Sequence, residues 1–241
     1  LELGGKSANI ICESANIERA LDGALAGIFA NNGQQCLAGS RILVQRSIAK
    51  EFIERFVERA RRIRIGDPML ASTEVGPLAF RQHMERVLSY VDVAKADGAK
   101  LLTGGRRAAD QPRGWFIEPT AVLAPDNDAR VCQEEIFGPF ATLLEFDTVD
   151  DAIRLANESK FGLVNYVWSE DLNTVMRCSR DIRAGTVWVN TPMMRELRAP
   201  FGGYKESGIG RDGPFSSLDF FTELKATIIP IDAPAMHRYG A

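Results

Sequence analysis

One cysteine stands where a thiol could do chemistry. The run FANNGQQCLAGSR places Cys36 among small and polar residues, at the point where a helical pattern stops. Cysteine is usually buried as a small hydrophobe, but Gly33, Gly39 and Ser40 make a poor core around this one. Small neighbours leave room for a substrate to approach the sulfur, and backbone N–H groups of the run would face a developing oxyanion. The residues alone leave Cys36 as either a nucleophile or an ordinary loop cysteine.

Carboxylates and arginines supply further candidates. Glu2 lies in LELGGKS and, taken alone, is typical of a solvated terminal carboxylate. The stretch EEIFGPF, residues 134–140, joins two carboxylates to an aromatic ring and a Gly-Pro turn, which alone indicates a capped helical turn. Arg195 and Arg198 precede a PFGG turn. They are either solvated and paired with Glu196, or they bind a substrate carboxylate, which a guanidinium matches bidentately.

Four motifs in order, ELGGK, GQQCLAGSR, EEIFGPF and PFGGYKESGIGR, resemble the aldehyde dehydrogenase superfamily. The resemblance runs nearly end to end along this chain. It covers only about the second half of a family member, because members carry an N-terminal nucleotide-binding region before ELGGK. It implies an enzyme that oxidises an aldehyde with NAD, NADP being also open. In that enzyme Cys36 is the nucleophile and Glu2 the general base that activates the hydrolytic water.

The same resemblance implies the residues that bind cofactor and substrate. Glu135 is expected to hold the hydroxyls of the nicotinamide ribose, a sound role for a carboxylate, and Phe137 to lie against the nicotinamide. Phe201 is expected to line the aldehyde pocket or to pack near the nicotinamide. The form R-x-L-R-x-PFGG is similar to dehydrogenases acting on muconic-type semialdehydes. A carboxylated semialdehyde is therefore the expected substrate, with Arg195 and Arg198 as its binders.

Length, composition and charge exclude several classes of protein. With 241 residues, 45% hydrophobic and 25% charged, the chain fits a soluble globular protein. A net charge of −3 provides no basic field for nucleic acid or an acidic membrane. No apolar run approaches the roughly 18 residues of a membrane span. Four cysteines without a C-x-x-C pair, and only two histidines, predict no metal cluster and no disulfide framework. We expect reduced thiols and a cytoplasmic protein.

The order of the elements predicts an α/β fold. Strand–helix–strand alternation from Ala141 onwards predicts a parallel sheet covered by helices. Asn16 is the predicted N-cap of a helix that Gly33 ends, which places Cys36 in the following loop, before a strand at 41–45.

Two further helix starts follow from capping residues. Ser47 is predicted to cap a helix whose arginines alternate with glutamates, which indicates a solvated, ion-paired face rather than a nucleic-acid patch. Thr148 and Asp151 predict a capping box at the start of a later helix.

Three regions are expected along the chain. Residues 1–200 are predicted to form the catalytic α/β domain, 201–222 a return segment towards the cofactor region, and 223–241 an oligomerisation strand and tail. The run KATIIPI, 225–231, indicates a short strand, and by the resemblance such a strand pairs with another subunit in a homo-oligomer. The G-x-G-x-x-G match at 208–213 is predicted to be an ordinary loop, because no strand pattern precedes it.

Two other functions stay open at this stage. The first is a non-redox thiol enzyme, an acyl hydrolase or acyltransferase, which would need a histidine beside Cys36. Only His83, in a predicted helix, and His237, in the tail, are available. The second is a catalytically incomplete fragment that survives as a folded module.

Overall fold

The computed structural model describes residues 1–232 and 234–240. The strands are β1 (Ala8–Ile11), β2 (Arg41–Gln45), β3 (Lys100–Thr103), β4 (Thr120–Leu123), β5 (Phe140–Phe146), β6 (Phe161–Gly162), β7 (Val164–Trp168), β8 (Thr186–Val189) and β9 (Tyr204–Lys205). The helices are α1 (Ile17–Phe29), α2 (Arg46–Arg61), α3 (Arg81–Ala96), α4 (Arg130–Gln133), α5 (Val149–Asn157), α6 (Leu172–Asp181) and α7 (Pro214–Phe221).

A mostly parallel sheet forms the centre of the fold. Within the described residues it has seven strands in the order β3-β4-β5-β2-β1-β7-β8. Only β3 and β4 pair antiparallel, and the other neighbours are parallel. Strands β6 and β9 make a separate two-stranded ribbon. The predicted α/β class, a parallel sheet covered by helices, is confirmed.

Both faces of the sheet are buried, and alternate residues of β2 show how. Ile42 and Val44 pack with the apolar side chains of α1 and α2, whereas Leu43 packs on the opposite side with those of α3, α5 and α6. Successive residues of a strand point to opposite faces, so a strand covered on both faces needs an almost continuous apolar run. That is the pattern of RILVQ, and the predicted strand 41–45 is confirmed.

Side-chain caps are present at three of the seven described helix starts, those of α1, α5 and α6. Asn16 accepts a hydrogen bond from the backbone N–H of Arg19 at 3.1 Å and caps α1 as predicted. Thr148 and Asp151 form the predicted capping box of α5. The predicted Ser47 cap is wrong. Helix α2 begins at Arg46 with no side-chain cap, because β2 runs into it directly.

Charged side chains on α2 are paired, as predicted. Arg55 contacts Glu51 one turn away, and Arg62 likewise contacts Glu58. Other pairs reach across to α1, where Asp22 accepts from Arg59 at 2.5 Å. These pairs join two neighbouring helices at the surface.

The segment after residue 200 returns to the N-terminal residues of the chain. Phe201 and Asp212 exchange two backbone hydrogen bonds of 2.8 and 2.7 Å. Gly208 forms an antiparallel bridge with Glu2, and a Cβ on Gly208 would lie only 1.9 Å from the Leu1 carbonyl oxygen. The 208–213 stretch is therefore the loop that was predicted, and its first glycine is required by this close approach.

The predicted strand at 225–231 is not formed in this chain. In the part of the chain that the structure describes, these residues pair with no strand, and Ile228 and Ile231 are 91% and 102% exposed. A strand needs the N–H and C=O groups of a neighbour, and none of the described strands lies beside this segment. Its pairing with a second subunit, like the domain boundaries, stays a prediction. Across residues 1–232 and 234–240, no helix has the length and apolarity needed to cross a membrane.

Candidate active site

The loop that carries Cys36 is held by contacts from outside it. After α1 the chain makes a tight turn at Ala30–Gly33. Asn32, with a left-handed φ of 57°, donates its amide to the Pro77 carbonyl at 2.8 Å and accepts from the Gly76 N–H at 2.9 Å. Asparagine is one of the few residues that tolerate this backbone conformation. The position of the thiol therefore depends on a segment far along the chain.

An aromatic cluster lies beneath the thiol. Cys36 is half-buried and packs, together with Leu37, against a cluster of five side chains: Leu163, Val164, Tyr166, Trp188 and Phe201. Tyr166 donates its hydroxyl to the Leu37 carbonyl at 2.6 Å and stacks on Trp188 with 5.2 Å between ring centroids. This hydrogen bond orients the backbone immediately after Cys36. Tyr166 is not predictable as a site residue from the sequence, because it lies in a strand pattern typical of core.

The surroundings of the thiol favour its protonated form. Burial raises the pKa of Cys36 most, and the nearby carboxylates of Glu2 and Glu135 raise it further. Hydrogen bonds from the backbone N–H groups of Cys36 and Leu37 lower this pKa, but the net shift is upward. A thiol with a raised pKa needs a base to become a nucleophile. The same two N–H groups are donors of the kind that stabilise an oxyanion.

The ELGG turn joins the candidate residues. The N–H of Gly5 donates to Oε1 of Glu135 at 3.0 Å. A Cβ on Gly4, whose φ is +116°, would lie 2.7 Å from Oε2 of the same carboxylate, and a Cβ on Gly5 would lie 2.4 Å from the Cys36 carbonyl oxygen. Any side chain at these two positions would therefore push the Glu135 carboxylate or the thiol loop away. The turn begins at Glu2.

The close approach at Gly5 gives a stability prediction. Gly5→Ala is expected to lower the free energy of unfolding by about 1–3 kcal/mol, because its methyl group overlaps backbone that has no room to move. Urea denaturation measures this change, and iodoacetamide labelling of Cys36 detects the displaced loop. Gly27→Ala is the matched control, since its Cβ meets only Asn9 at 3.5 Å. An equally stable Gly5→Ala protein with unchanged labelling would contradict the prediction.

Phe201 lies between two cavities. One, of about 250 Å³, is lined by Glu2, Phe201 and Arg211 among others. The other, of about 380 Å³ and mostly apolar, is lined by Phe201, Trp188 and Arg195 among others. Phe201 also belongs to the cluster against which Cys36 packs, so this residue links the thiol cluster to the cavities lined by Glu2 and by Arg195.

The two candidate arginines have different surroundings. Arg198 binds Glu196 bidentately with two 2.8 Å bonds, and this pairing lowers the pKa of Glu196 to about 2. Arg195 instead stacks over the ring of Phe201, 4.5 Å from its centroid. The pairing with Glu196 considered from the sequence is thus present. A substrate carboxylate would have to replace Glu196 on Arg198, whereas Arg195 already lines the apolar cavity.

Glu135 and Phe137 lie on one loop with partly exposed side chains. Burial raises the pKa of Glu135, while the Gly5 N–H, Lys6 and Arg86 lower it in that order. The ring of Phe137 is exposed, and its φ is 62°. The two side chains expected to hold the nicotinamide nucleoside are therefore both partly exposed on one loop, and their role in binding it stays a prediction.

Two basic side chains buried near the site, Arg41 and Lys6, were not predicted from the sequence. Arg41, at the start of β2, is 1% exposed and donates to the carbonyl oxygens of Lys6, Leu155 and Ala156 at 2.9, 2.8 and 3.1 Å. Lys6 is equally buried, its Nζ has no partner among the described residues, and burial lowers its pKa to about 7. A charged residue within a buried strand pattern was the available indication for Arg41.

Neither histidine supports a thiol–histidine pair. His83 Nε2 lies 2.7 Å from the Phe137 carbonyl oxygen. His237 contacts Tyr239 in the exposed tail. Among the described residues, no hydrogen bond joins a histidine to Cys36, and no three His, Cys, Asp or Glu side chains are grouped to hold a metal ion. All four cysteines are free.

Fold and site together define a class of α/β protein in which one half-buried thiol, on the loop before a parallel strand, has two carboxylates nearby. The model of the aldehyde dehydrogenase family matches residues 1–227, and the chain belongs to that family. It is 49% identical over 218 residues to 5-carboxymethyl-2-hydroxymuconate semialdehyde dehydrogenase of Escherichia coli, covering 88% of this chain and 46% of the relative. It is 42% identical to 2-aminomuconic semialdehyde dehydrogenase of Mus musculus, covering 95% of this chain and 48% of that protein.

Solved structures show the same similarity. HpcC from Thermus thermophilus superposes with a TM-score of 0.93 and 42% identity, covering 100% of this chain and 48% of the other. Betaine aldehyde dehydrogenase from Staphylococcus aureus, solved with NAD⁺, superposes with a TM-score of 0.90 and 43% identity. The match covers 92% of this chain and 44% of that protein. The chain thus spans about half the length of the relatives it matches.

Proposed function

We propose that this chain forms the catalytic part of an aldehyde dehydrogenase that oxidises a carboxylated semialdehyde to the carboxylic acid with NAD. The observation that carries the proposal is the ELGG turn, which begins at Glu2, binds the Glu135 carboxylate and contacts the backbone of Cys36. A nucleophile, a base and a cofactor-binding carboxylate are thereby held by one short segment. Family membership supports the assignment.

The chain's own residues account for the covalent steps. Cys36 loses its proton to solvent water, and the thiolate sulfur attacks the aldehyde carbon, giving a thiohemiacetal whose oxyanion the Cys36 N–H stabilises. NAD, when bound, would accept the hydride that leaves this carbon, so that a thioester to Cys36 remains. Glu2 then takes a proton from water, and the resulting hydroxide attacks the thioester carbonyl. Breaking the carbon–sulfur bond releases the carboxylic acid, and the leaving thiolate takes the proton held by Glu2, which restores both the thiol and the carboxylate.

Glu135 and Phe137 would hold the nicotinamide nucleoside in this scheme. The carboxylate would accept hydrogen bonds from the ribose hydroxyls, and the Phe137 ring would pack against the nicotinamide. NAD is proposed over NADP because similar structures contain NAD⁺. Glu2 also favours hydrolysis over transfer to coenzyme A.

The carboxylated substrate class is proposed from two observations. Two relatives are named for muconic-type semialdehydes. In this chain Arg195 lines the apolar cavity next to Phe201, and Arg198 already holds a carboxylate, that of Glu196. The guanidinium of Arg195 lies over Phe201 of the thiol cluster, and this position supports a role in binding a substrate carboxylate.

The test is to measure NADH formation by the intact protein with a carboxylated semialdehyde and with a simple aldehyde. Changing Arg195 and Arg198 together to alanine should raise KM for the carboxylated substrate about ten- to a hundredfold, because a charge-assisted hydrogen bond contributes roughly 1.5–3 kcal/mol. KM for the simple aldehyde should change little. Arg183→Ala is the surface control. Equal effects on both substrates would reject the substrate class, and no NADH from either would reject the redox function.

A homo-oligomer is proposed from the C-terminal segment. Helix α7 buries none of its residues in this chain, and Phe215 and Phe221 are 82% and 77% exposed. Ile228 and Ile231 follow in a segment with no strand partner among the described residues. An unpaired apolar run of this kind is a template for a strand of another chain, which supports pairing with a second copy. The cytoplasmic location stays a prediction.

A further inference from the structure

Helix α3 binds the loop of the candidate cofactor residues through its backbone. Arg86 donates to the Glu135 carbonyl oxygen at 2.8 Å and to the Ile136 carbonyl oxygen at 3.0 Å. His83, one turn earlier, contacts the Phe137 carbonyl oxygen through Nε2 at 2.7 Å. Two side chains of one helix therefore bind three successive carbonyl oxygens of the loop. Because these partners lie on α3, the shape of the 135–137 loop depends on contacts outside the loop.

The loop backbone is also strained. Phe137 has a φ of 62°, a region that a bulky aromatic residue rarely occupies. Such a conformation persists only where the surrounding structure imposes it. The next residue, Gly138, packs so closely on α3 that a Cβ there would lie 2.7 Å from Val87. The ring of His83 meets the ring of Phe137 edge-on, with 6.3 Å between centroids.

Side-chain contacts fix the orientation of Arg86 itself. Its guanidinium lies over the ring of Tyr90, 5.5 Å from the centroid. The Tyr90 hydroxyl donates to Oε2 of Glu134 at 2.9 Å, so the ring is held from the loop side. Meanwhile the Glu135 carboxylate accepts from Gly5. The loop is thus held on its backbone by α3 and on its side chain by the ELGG turn.

We propose that His83 and Arg86 are positioning residues. By binding the carbonyl oxygens of residues 135–137, they hold the Glu135 and Phe137 side chains in place. They act through the loop and do not take part in bond making at Cys36. Their consequence for the cofactor rests on the function proposed above. Without them the backbone at Phe137 relaxes to an ordinary conformation, and the carboxylate and the ring lose their common orientation.

Hydrogen–deuterium exchange tests the structural part without any cofactor. In Arg86→Ala and His83→Ala, exchange of amides in a peptide covering residues 135–140 should accelerate at least about tenfold, while amides of β2 are unchanged. Arg81→Ala is the matched control, because that guanidinium lies on the same helix but pairs with Glu85. Arg86→Lys keeps a cationic donor and should restore part of the protection. Unchanged exchange in the alanine variants would overturn the proposal.

Steady-state kinetics of the intact protein test the consequence for the cofactor. Arg86→Ala should raise KM for NAD about tenfold, His83→Ala less, and Arg86→Lys should recover part of the loss. The effect should fall on KM for NAD rather than on acylation of Cys36 by an activated ester. Unchanged KM for NAD despite faster exchange would overturn the positioning role. Failure of the wild-type protein to form NADH would instead reject the proposed function, with the exchange result still deciding the contacts of the loop.

Discussion

Cys36→Ala is expected to abolish the burst of p-nitrophenol that follows mixing with p-nitrophenyl acetate, leaving the rate of the buffer alone. Cys36 is the one half-buried thiol, whereas Cys12, Cys132 and Cys178 are buried. Burial raises the pKa of these three to about 12, 11 and 11. Since the thiolate is the nucleophile, the buried cysteines cannot replace Cys36. Rapid-mixing absorbance measures the burst, and intact mass identifies one acetyl group on the wild-type chain.

Two controls sharpen this experiment. Cys36→Ser keeps the size of the side chain but not its nucleophilicity, so it should also lose the burst. Cys178→Ala removes a buried thiol from α6 and should keep the burst, because that residue is 0% exposed. A burst that survives in Cys36→Ala would exclude this residue as the nucleophile. A wild-type chain without any burst would favour the alternative of a folded module that is catalytically incomplete.

Glu2→Gln should separate acylation from deacylation. The burst should remain, but release of the acyl group should slow by about 10²–10⁴-fold, the usual contribution of a general base, so acyl-enzyme accumulates. The backbone of residue 2 bridges Gly208, and Leu3 donates to Ser207 at 2.9 Å. Because these are main-chain bonds, glutamine should occupy the same place. The second phase of p-nitrophenol release and the acylated mass measure the effect.

The same substitution has a pH signature. The charge of Glu2 raises the pKa of Cys36, so removing it favours the thiolate. Iodoacetamide labelling of Cys36 should therefore reach its half-maximal rate at lower pH in Glu2→Gln than in the wild type. Glu206→Gln, a surface carboxylate paired with Lys160, should change neither deacylation nor labelling. Deacylation at the wild-type rate in Glu2→Gln would show that water is activated by another group.

Elements with local causes could be predicted from the sequence. Asn16 and the Thr148–Asp151 box cap helices through bonds within one turn, and the apolar run of β2 reflects burial on both faces. Ser47 failed as a cap because the join between β2 and α2 leaves no free turn. The run 225–231 forms no strand within the described residues of this chain, because pairing depends on a neighbour, which a sequence pattern cannot supply.

The amino-acid sequence by itself determined the α/β class and which residue types are available for chemistry. The roles of Glu2, Glu135 and Phe137 came from resemblance, since each also had an ordinary structural explanation. Tertiary structure alone decided which of them meet. The strand order places β1 and β5 on either side of β2, and in the folded chain the Glu135 carboxylate, from the loop before β5, accepts from the Gly5 N–H, before β1. Contacts between residues so distant in sequence follow from sheet topology, which local pattern does not encode. For the same reason, the hydrogen bonds from α3 to the 135–137 carbonyl oxygens could not be predicted from the sequence.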